Sequence, residues 1–313
     1  MLWNMSSSSV DPPNPKDFKC IRYETNSDDG IASIILNRPH RFNAIADGMP
    51  QEIRSAVILA NMDKNIKVIL VRGEGRFFCS GYDLKDFAES ERGHPCSQKG
   101  AWDPELDFIY MGNNNYPSGC TACYMSLFHS RKPTIAMVHG GAIAGGSDIA
   151  LCCDLLLITK DAKIGYPPSR VWGVPTTAFW ALRVGVQQAK RLLFTGDLID
   201  GQEAVRLGLA LKCYDNEEVL LQEANKLAVR ISGVPSNQLW FNKLVVNSFA
   251  EATSGSTHNL QALASLLDGA SRHTPQGVAF QQYAQKHGFK EAVKMRDFGM
   301  KNAGNNFSEK SKL

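Results

Sequence analysis

Apolar runs and helix-like repeats alternate along the first two thirds of the chain. Nearly unbroken apolar runs are typical of strands buried on both faces, and they occur at 30–39, 66–73, 133–140 and 155–159. Residues 47–61 have the apolar spacing of one helix face, and the pattern at 145–153 predicts a short buried helix. Because strand, helix and strand recur in this order, we expect an α/β fold with mainly parallel strand pairing.

The pattern changes near residue 216. Helical periodicity, punctuated by Gly and Pro, then recurs in three segments, at 217–234, 237–252 and 274–297. The N-terminus is too polar for a secretory signal. We therefore expect four parts: a disordered N-terminal tail (1–17), an α/β core (18–215), a helical region (216–302) and a polar C-terminal tail (303–313).

A polar and aromatic segment at 90–130 is too long for a plain connection. Such segments often form the wall or the lid of a site. Its acids Asp103, Glu105 and Asp107 are candidates for a catalytic carboxylate, although solvated surface acids are the simpler interpretation.

Composition narrows the class of protein. The chain has 313 residues, 43% of them hydrophobic, and a net charge of +3 without a basic stripe, so we expect no nucleic-acid partner. No apolar run approaches the roughly 18 residues of a membrane span, so no membrane partner is expected. The eight cysteines follow no disulfide framework. Cys120 and Cys123 form a single CxxC without the further ligands of a zinc site, so we expect no metal.

One stretch, HGGAIAGGSDIALCCD at 139–154, combines many small residues with a single acid, Asp148. Gly145 and Gly146 stand where the predicted helix begins, and a helix start offers N–H groups without an acceptor in the helix. Glycine lets a ligand oxygen approach such groups closely. This is half of a site that stabilises negative charge on an oxygen.

A second turn of small residues, at Ser80 and Gly81, follows the predicted strand 66–73. Two N–H groups that converge on one carbonyl oxygen stabilise developing negative charge by about 3 kcal/mol for each donor. Either turn taken singly is better explained by tight packing of a strand on a helix. The two together predict an oxyanion hole.

Five motifs occur in the order found in the crotonase family, the enoyl-CoA hydratases and isomerases. They are NRPHRFNA at 37–44, GRFFCSGYDLKDF at 75–87, KPTIAMVHGGAIAGGSDIALCCD at 132–154, AKIGYPPSRVWGVP at 162–175 and AKRLLFTGDLIDGQEAVRLGL at 189–209. The chain resembles this family over about residues 18–300. The resemblance is specific for the family and much less so for the reaction.

The resemblance implies a core of repeated strand–strand–helix turns, with C-terminal helices that build a homotrimer or a dimer of trimers. It also implies an acyl-CoA thioester as substrate, so no separate cofactor is expected. The oxyanion donors of the family fall on the backbone N–H groups of Tyr82 and Gly145. Its coenzyme A contacts fall near Tyr82 and near four further residues, Arg41, Phe42, Asp83 and Leu84.

Hydratases of the family use two glutamates, and the first aligns with Asp148. The resemblance therefore implies that Asp148 moves the proton, with a side chain about 1.5 Å shorter than glutamate. The alternative for Asp148 is a charge that interacts with the helix dipole. The second glutamate aligns with Ser169, so the two-carboxylate mechanism is not available in its usual form. Dienoyl-CoA isomerases of the family also carry Asp at the first position, but their further acids are not found after Ser169.

Other polar residues near these motifs have open roles. Gly146, Tyr166, Ser169 and Trp172 are candidates for substrate binding, with packing as the alternative. Arg170 is a further candidate to hold water or substrate. His139 precedes the glycines and is interpreted as structural rather than as a base.

Three functions follow. The first is an acyl-CoA lyase or isomerase of the crotonase type that hydrates or dehydrates an enoyl-CoA, in fatty-acid oxidation or a biosynthetic pathway. The second is a double-bond isomerase that uses one carboxylate. The third is a catalytically weak protein that binds CoA esters.

The last three residues, Ser311, Lys312 and Leu313, spell SKL. This tripeptide is an address that a peroxisomal import receptor reads, and it adds nothing to the fold. We therefore expect a peroxisomal protein with that receptor as a partner. If the ending is accidental, the expected location is cytoplasmic.

Overall fold

The computed structural model describes residues 13–87, 97–98, 101–105, 119–254 and 257–299. Its strands are β1 (Ile21–Asn26), β2 (Ile31–Leu36), β3 (Val68–Gly73), β4 (Ser97–Gln98), β5 (Ala101–Trp102), β6 (Thr134–Val138), β7 (Gly141–Ile143), β8 (Leu155–Thr159), β9 (Lys163–Gly165), β10 (Leu198–Asp200) and β11 (Lys212–Tyr214). The tail residues 1–12, most of the 90–130 segment and the SKL ending lie outside the described residues.

The helices of the described part divide at residue 216. Those before it are α1 (Met49–Met62), α2 (Leu84–Phe87), α3 (Cys120–Phe128), α4 (Gly145–Leu151), α5 (Phe179–Thr195) and α6 (Gly201–Arg206). Those after it are α7 (Glu217–Ser232), α8 (Ser236–Ser254), α9 (Thr257–Arg272), α10 (Pro275–His287) and α11 (Phe289–Gly299). Among all the helices of the described residues, before and after 216, none has the length and apolar character to cross a membrane.

The main sheet has six strands in the order β1-β2-β3-β6-β8-β11. Only β1 and β2 pair antiparallel, and the other four pairings are parallel. A smaller sheet has the order β10-β9-β7. Strand β6 of the main sheet leads directly to β7 of the smaller one and then to α4, and β8 leads likewise to β9 and later to α5. This confirms the predicted α/β fold of strand–strand–helix turns.

The main sheet is buried on both faces, which explains the unbroken apolar runs of its central strands. On one face, Ile34, Ile69 and Val138 belong to the large core cluster that includes residues of α1, α3 and α4. On the other face, Leu70 and Met137 pack with the apolar side of α7. The sheet therefore holds the turns that follow β3 and β6 in fixed positions.

Two differences from the sequence prediction affect the site. The predicted helical run 274–297 is interrupted at Gly288, so that α10 and α11 form a hairpin. Residues of this hairpin, among them Phe280 and Ala292, pack with Trp172. Helix α9 was not among the predicted segments, and it contributes Asp268 and Arg272 to the cavity described below.

Candidate active site

The two turns of small residues lie side by side. Cys79 forms a bridge with Ala142, in which Ile143 N donates to Cys79 O at 3.0 Å. A side chain on Gly146 would meet Cys79 O at 2.4 Å, and one on Gly145 would meet the Tyr82 ring at 2.9 Å. Close packing of the two turns therefore explains both glycines, and the same packing brings the start of α4 next to Tyr82.

The two proposed oxyanion donors belong to these turns. Gly145 is the first residue of α4, so its N–H has no acceptor within the helix. Tyr82 forms an isolated bridge with Ile45, in which Gly81 O accepts from Ile45 N and Asp83 N donates to Ile45 O. Because neighbouring peptide groups of an extended chain point in opposite directions, the Tyr82 N–H faces away from Ile45.

Asp148 is almost fully buried on α4, with 1% of its surface exposed. Thr177 Oγ1 donates to Asp148 Oδ1 at 2.6 Å, while Oδ2 has no hydrogen-bond partner within the described chain. Burial raises the pKa of Asp148 to about 7; the Thr177 hydrogen bonds act against this rise, and the charge of Asp268 adds to it. A carboxyl group with a pKa near neutrality can both accept and donate a proton.

A cavity of about 480 Å³ runs along the two turns. Seven of the predicted site residues line it, namely Arg41, Phe42, Tyr82, Asp83, Leu84, Tyr166 and Trp172. Four predicted residues are not among those that line this cavity, namely Gly145, Gly146, Asp148 and Ser169. Ala144, which immediately precedes α4, does line it. The carboxylate of Asp148 therefore lies behind the cavity wall.

Ser169 stands where a second carboxylate would be needed, and it does not reach the cavity. Its hydroxyl donates to Tyr166 O at 2.8 Å within the 3₁₀ turn Pro167–Arg170. Arg170 faces elsewhere too, because it pairs with Asp297 at 2.7 Å and donates to Thr195 O. Tyr166 does line the cavity, and its hydroxyl donates to Val174 O at 3.0 Å.

Asp83 lies in the cavity wall as a buried carboxylate held by two arginines. It accepts from Arg38 Nη2 at 3.1 Å and from Arg41 Nε at 3.2 Å. Burial by itself would raise the pKa of Asp83, but the hydrogen bonds and charges of the two arginines outweigh it and lower the pKa. Asp83 thus fixes the position of Arg41.

The remaining candidates that the structure describes do not line the cavity. His139 is buried and makes a hydrogen bond of 2.7 Å with Gly75 O. Asp103 and Glu105 do not line the cavity, and Asp107 lies outside the described residues. Cys120 and Cys123 are buried on α3, and burial raises their pKa values to about 12 and about 11, which disfavours the thiolate that a metal needs.

Sequence reasoning missed three polar residues of this region. Thr177 is separated from Asp148 by 29 positions, and no local motif connects them. Asp268 and Arg272 come from α9, whose helical pattern was not recognised.

The family model described as enoyl-CoA hydratase/isomerase matches residues 26–292. The chain belongs to the enoyl-CoA hydratase/isomerase family. The chain is similar to a crystal structure of an enoyl-CoA hydratase from Mycobacterium smegmatis, with 40% sequence identity and a TM-score of 0.82. The match covers 95% of this chain and 100% of that one.

Curated relatives of the family carry both activities in their names. A protein of Mycobacterium tuberculosis that is named as an enoyl-CoA hydratase is 33% identical to this chain over 76% of each of the two chains. A mitochondrial Δ(3,5)-Δ(2,4)-dienoyl-CoA isomerase of Dictyostelium discoideum is 29% identical over 74% of this chain and 78% of its own. The chain is therefore an enzyme of the enoyl-CoA hydratase/isomerase type.

Proposed function

We propose that this enzyme adds water to the double bond of an enoyl-CoA and removes it in the reverse direction. One observation carries the proposal. A buried carboxylate, Asp148, has a pKa of about 7 and an oxygen without a partner among the described residues, on the helix that begins with the Gly145 N–H. Simple binding of CoA esters has no need for such a group.

The backbone groups act on the thioester. In the proposed complex, the N–H groups of Tyr82 and Gly145 both donate to the thioester oxygen. They stabilise the enolate that forms when a nucleophile attacks the β carbon, by about 3 kcal/mol for each donor. The CoA part of the substrate lies along the cavity wall that includes Arg41, Phe42 and Leu84.

A single carboxylate completes the reaction. Ionised Asp148 takes a proton from water while the water oxygen bonds to the β carbon and the π electrons of the double bond move to the thioester oxygen. The enolate then takes the proton from Asp148 at the α carbon, which restores the thioester and the ionised carboxylate. This sequence requires no second acid, which agrees with the position of the Ser169 hydroxyl on the backbone.

The proposal includes a change at the cavity wall. Asp148 Oδ2 is buried, whereas Ala144 and Tyr166 line the cavity. Burial raises the pKa of Tyr166, and the charge of Asp148 adds to this rise. An entering acyl group must displace part of this wall before its α carbon can meet Asp148.

Double-bond isomerisation is the second candidate. One carboxylate can remove a proton from one carbon of an enoyl-CoA and return it to another, and the Dictyostelium relative bears the name of an isomerase. The mass of the substrate is then unchanged, whereas hydration adds one water.

A mass-spectrometric screen of acyl-CoA esters distinguishes the candidates. Hydration predicts the gain of one water from crotonyl-CoA and loss of the conjugated thioester absorbance. Isomerisation predicts a shifted double bond at constant mass. If every ester binds and none changes, both proposed reactions are wrong.

We also propose peroxisomal import and assembly as a homotrimer or a dimer of trimers. The SKL ending supports the first proposal. The second is supported by large apolar side chains on α8 that are mostly exposed in the single chain, with Val245 71% exposed and Phe249 74% exposed. Exposed apolar patches of this kind mark association surfaces.

A further inference from the structure

An ion pair lies in the wall of the cavity. Asp268 Oδ2 accepts from Arg272 Nη1 one turn further along α9, and the two side chains are only 6% and 11% exposed. Both residues line the cavity together with the aromatic side chains of Trp172 and Phe280. Charged groups in such surroundings are uncommon, because removing them from water is costly.

The same stretch of chain connects the ion pair to Asp148. Asp268 Oδ1 accepts from Val174 N at 2.8 Å, and Thr177, three residues further on, holds Asp148. The negative charge of Asp268 also contributes to the raised pKa of Asp148. An acyl chain whose α carbon meets Asp148 therefore extends toward Asp268 and Arg272.

The pair discriminates among acyl groups by their polarity. A plain alkyl chain packed against it removes water from two charged groups and returns no hydrogen bond. A hydroxyl can donate to the carboxylate and accept from the guanidinium. A carboxylate at the far end of the acyl chain can accept from Arg272, but it also meets the like charge of Asp268 beside it.

We propose that Asp268 and Arg272 select acyl-CoA esters that carry a hydroxyl beyond the β carbon over esters with plain alkyl chains. This inference rests on the proposed function, because it assumes an acyl-CoA seated with its thioester at Tyr82 and Gly145.

Binding of saturated esters tests the inference without any reaction. Dissociation constants are measured by calorimetry for hexanoyl-CoA, for its 4-, 5- and 6-hydroxy derivatives and for adipoyl-CoA. At least one hydroxy ester is expected to bind about tenfold or more tightly than hexanoyl-CoA, since hydrogen bonds to charged groups have this strength. The inference is overturned if no hydroxy ester binds more tightly, or if adipoyl-CoA binds best.

A double variant assigns the preference to the pair. Asp268→Asn with Arg272→Gln removes both charges and keeps an oxygen to accept from Val174 N. The preference for the hydroxy ester should fall to about threefold or less. Glu203→Gln with Arg206→Gln, a pair on α6 outside the cavity lining, is the matched control and should keep the preference. A preference that survives in the Asp268/Arg272 variant contradicts the inference, and if that variant does not fold, the wild-type series decides.

The two proposals fail separately in this design. Saturated esters cannot be hydrated, so their binding order does not depend on the reaction. Normal hydration of hexenoyl-CoA without a hydroxyl preference contradicts the inference and leaves the function. A hydroxyl preference without hydration of any enoyl ester contradicts the function and leaves the selectivity.

Discussion

Thr177 Oγ1 donates a hydrogen bond of 2.6 Å to Asp148 Oδ1 between two buried side chains. The bond stabilises the ionised carboxylate, and it occupies one oxygen while the other has no partner in the described chain. Thr177 is thus a positioning residue that determines which oxygen of Asp148 is available and at what pH it carries charge.

Thr177→Val should move the pH dependence of the reaction. Without the donated hydrogen bond, the pKa of Asp148 rises above about 7. Because the proposed first step needs the ionised form, the acid limb of kcat/KM should shift upward by about one pH unit. Thr177→Ser keeps the hydroxyl and should restore the wild-type profile. An unchanged profile in Thr177→Val would show that the hydrogen bond is only structural.

Asp148→Asn should reduce turnover about 100-fold or more, because it removes the group that moves the proton and keeps its size. The affinity for a saturated acyl-CoA should stay within about threefold of the wild type, since Asp148 does not line the cavity. Steady-state kinetics and calorimetry measure the two effects. Full activity in this variant would transfer the catalytic role to another cavity residue.

The same substitution should change how stability depends on pH. The pKa of Asp148 rises on folding from 3.8 to about 7, so the folded chain holds a proton that the unfolded chain releases between these values. Rising pH therefore lowers the free energy of unfolding, by about 1.4 kcal/mol per pH unit in this window, and the loss levels off above about pH 7. Urea unfolding at pH 5 and pH 8 should show this loss in the wild type and a smaller one in Asp148→Asn. Equal losses would contradict the raised pKa.

Much of the fold followed from local patterns, because the central strands are buried on both faces and appear as unbroken apolar runs. Strand β1 was not predicted because most of its residues are polar and partly or fully exposed, so it contains no apolar run. The strands of the smaller sheet have only three residues each, too few to show a periodicity. Helix α9 was missed between recognised segments, although it has a clear apolar face in the structure.

The predictable parts of the site lie within short motifs, and the resemblance to the family brought two of these motifs together. The turns at Gly81 and Gly145 could be recognised because each is a local run of small residues. The Thr177–Asp148 bond and the placement of Asp268 are tertiary contacts, for which a single sequence gives no local signal. The role of Ser169 stayed open for another reason: its hydroxyl can donate either to a ligand or to Tyr166 O three residues back, and the sequence does not decide between the two.

Removing Ser311 to Leu313 should leave activity and stability unchanged, because the tripeptide follows a polar tail without helical periodicity. In a eukaryotic cell, a fluorescent fusion with a free C-terminus should change from a punctate distribution that overlaps a peroxisomal marker to a diffuse one. Fluorescence microscopy of both forms measures this. A diffuse distribution of the intact chain would show that the ending is accidental.

Gly145→Ala and Gly146→Ala should separate catalysis from folding, although the two residues are neighbours. The added methyl group at Gly145 meets the ends of two side chains, Ile45 Cδ1 at 2.8 Å and Tyr82 Cε2 at 2.9 Å, which can move. The fold should therefore persist, while the displaced Tyr82 weakens the proposed oxyanion hole and turnover falls about tenfold or more.

At Gly146 the added methyl group meets the backbone Cys79 O at 2.4 Å. This oxygen cannot move without moving the bridge between Cys79 and Ala142. The melting temperature of Gly146→Ala should therefore fall by several degrees, as expected of overpacking. Circular dichroism melts and kinetics on both variants test the contrast. If Gly145→Ala retains full turnover, the added methyl group leaves the proposed oxyanion hole intact, and the glycine at this position serves packing only.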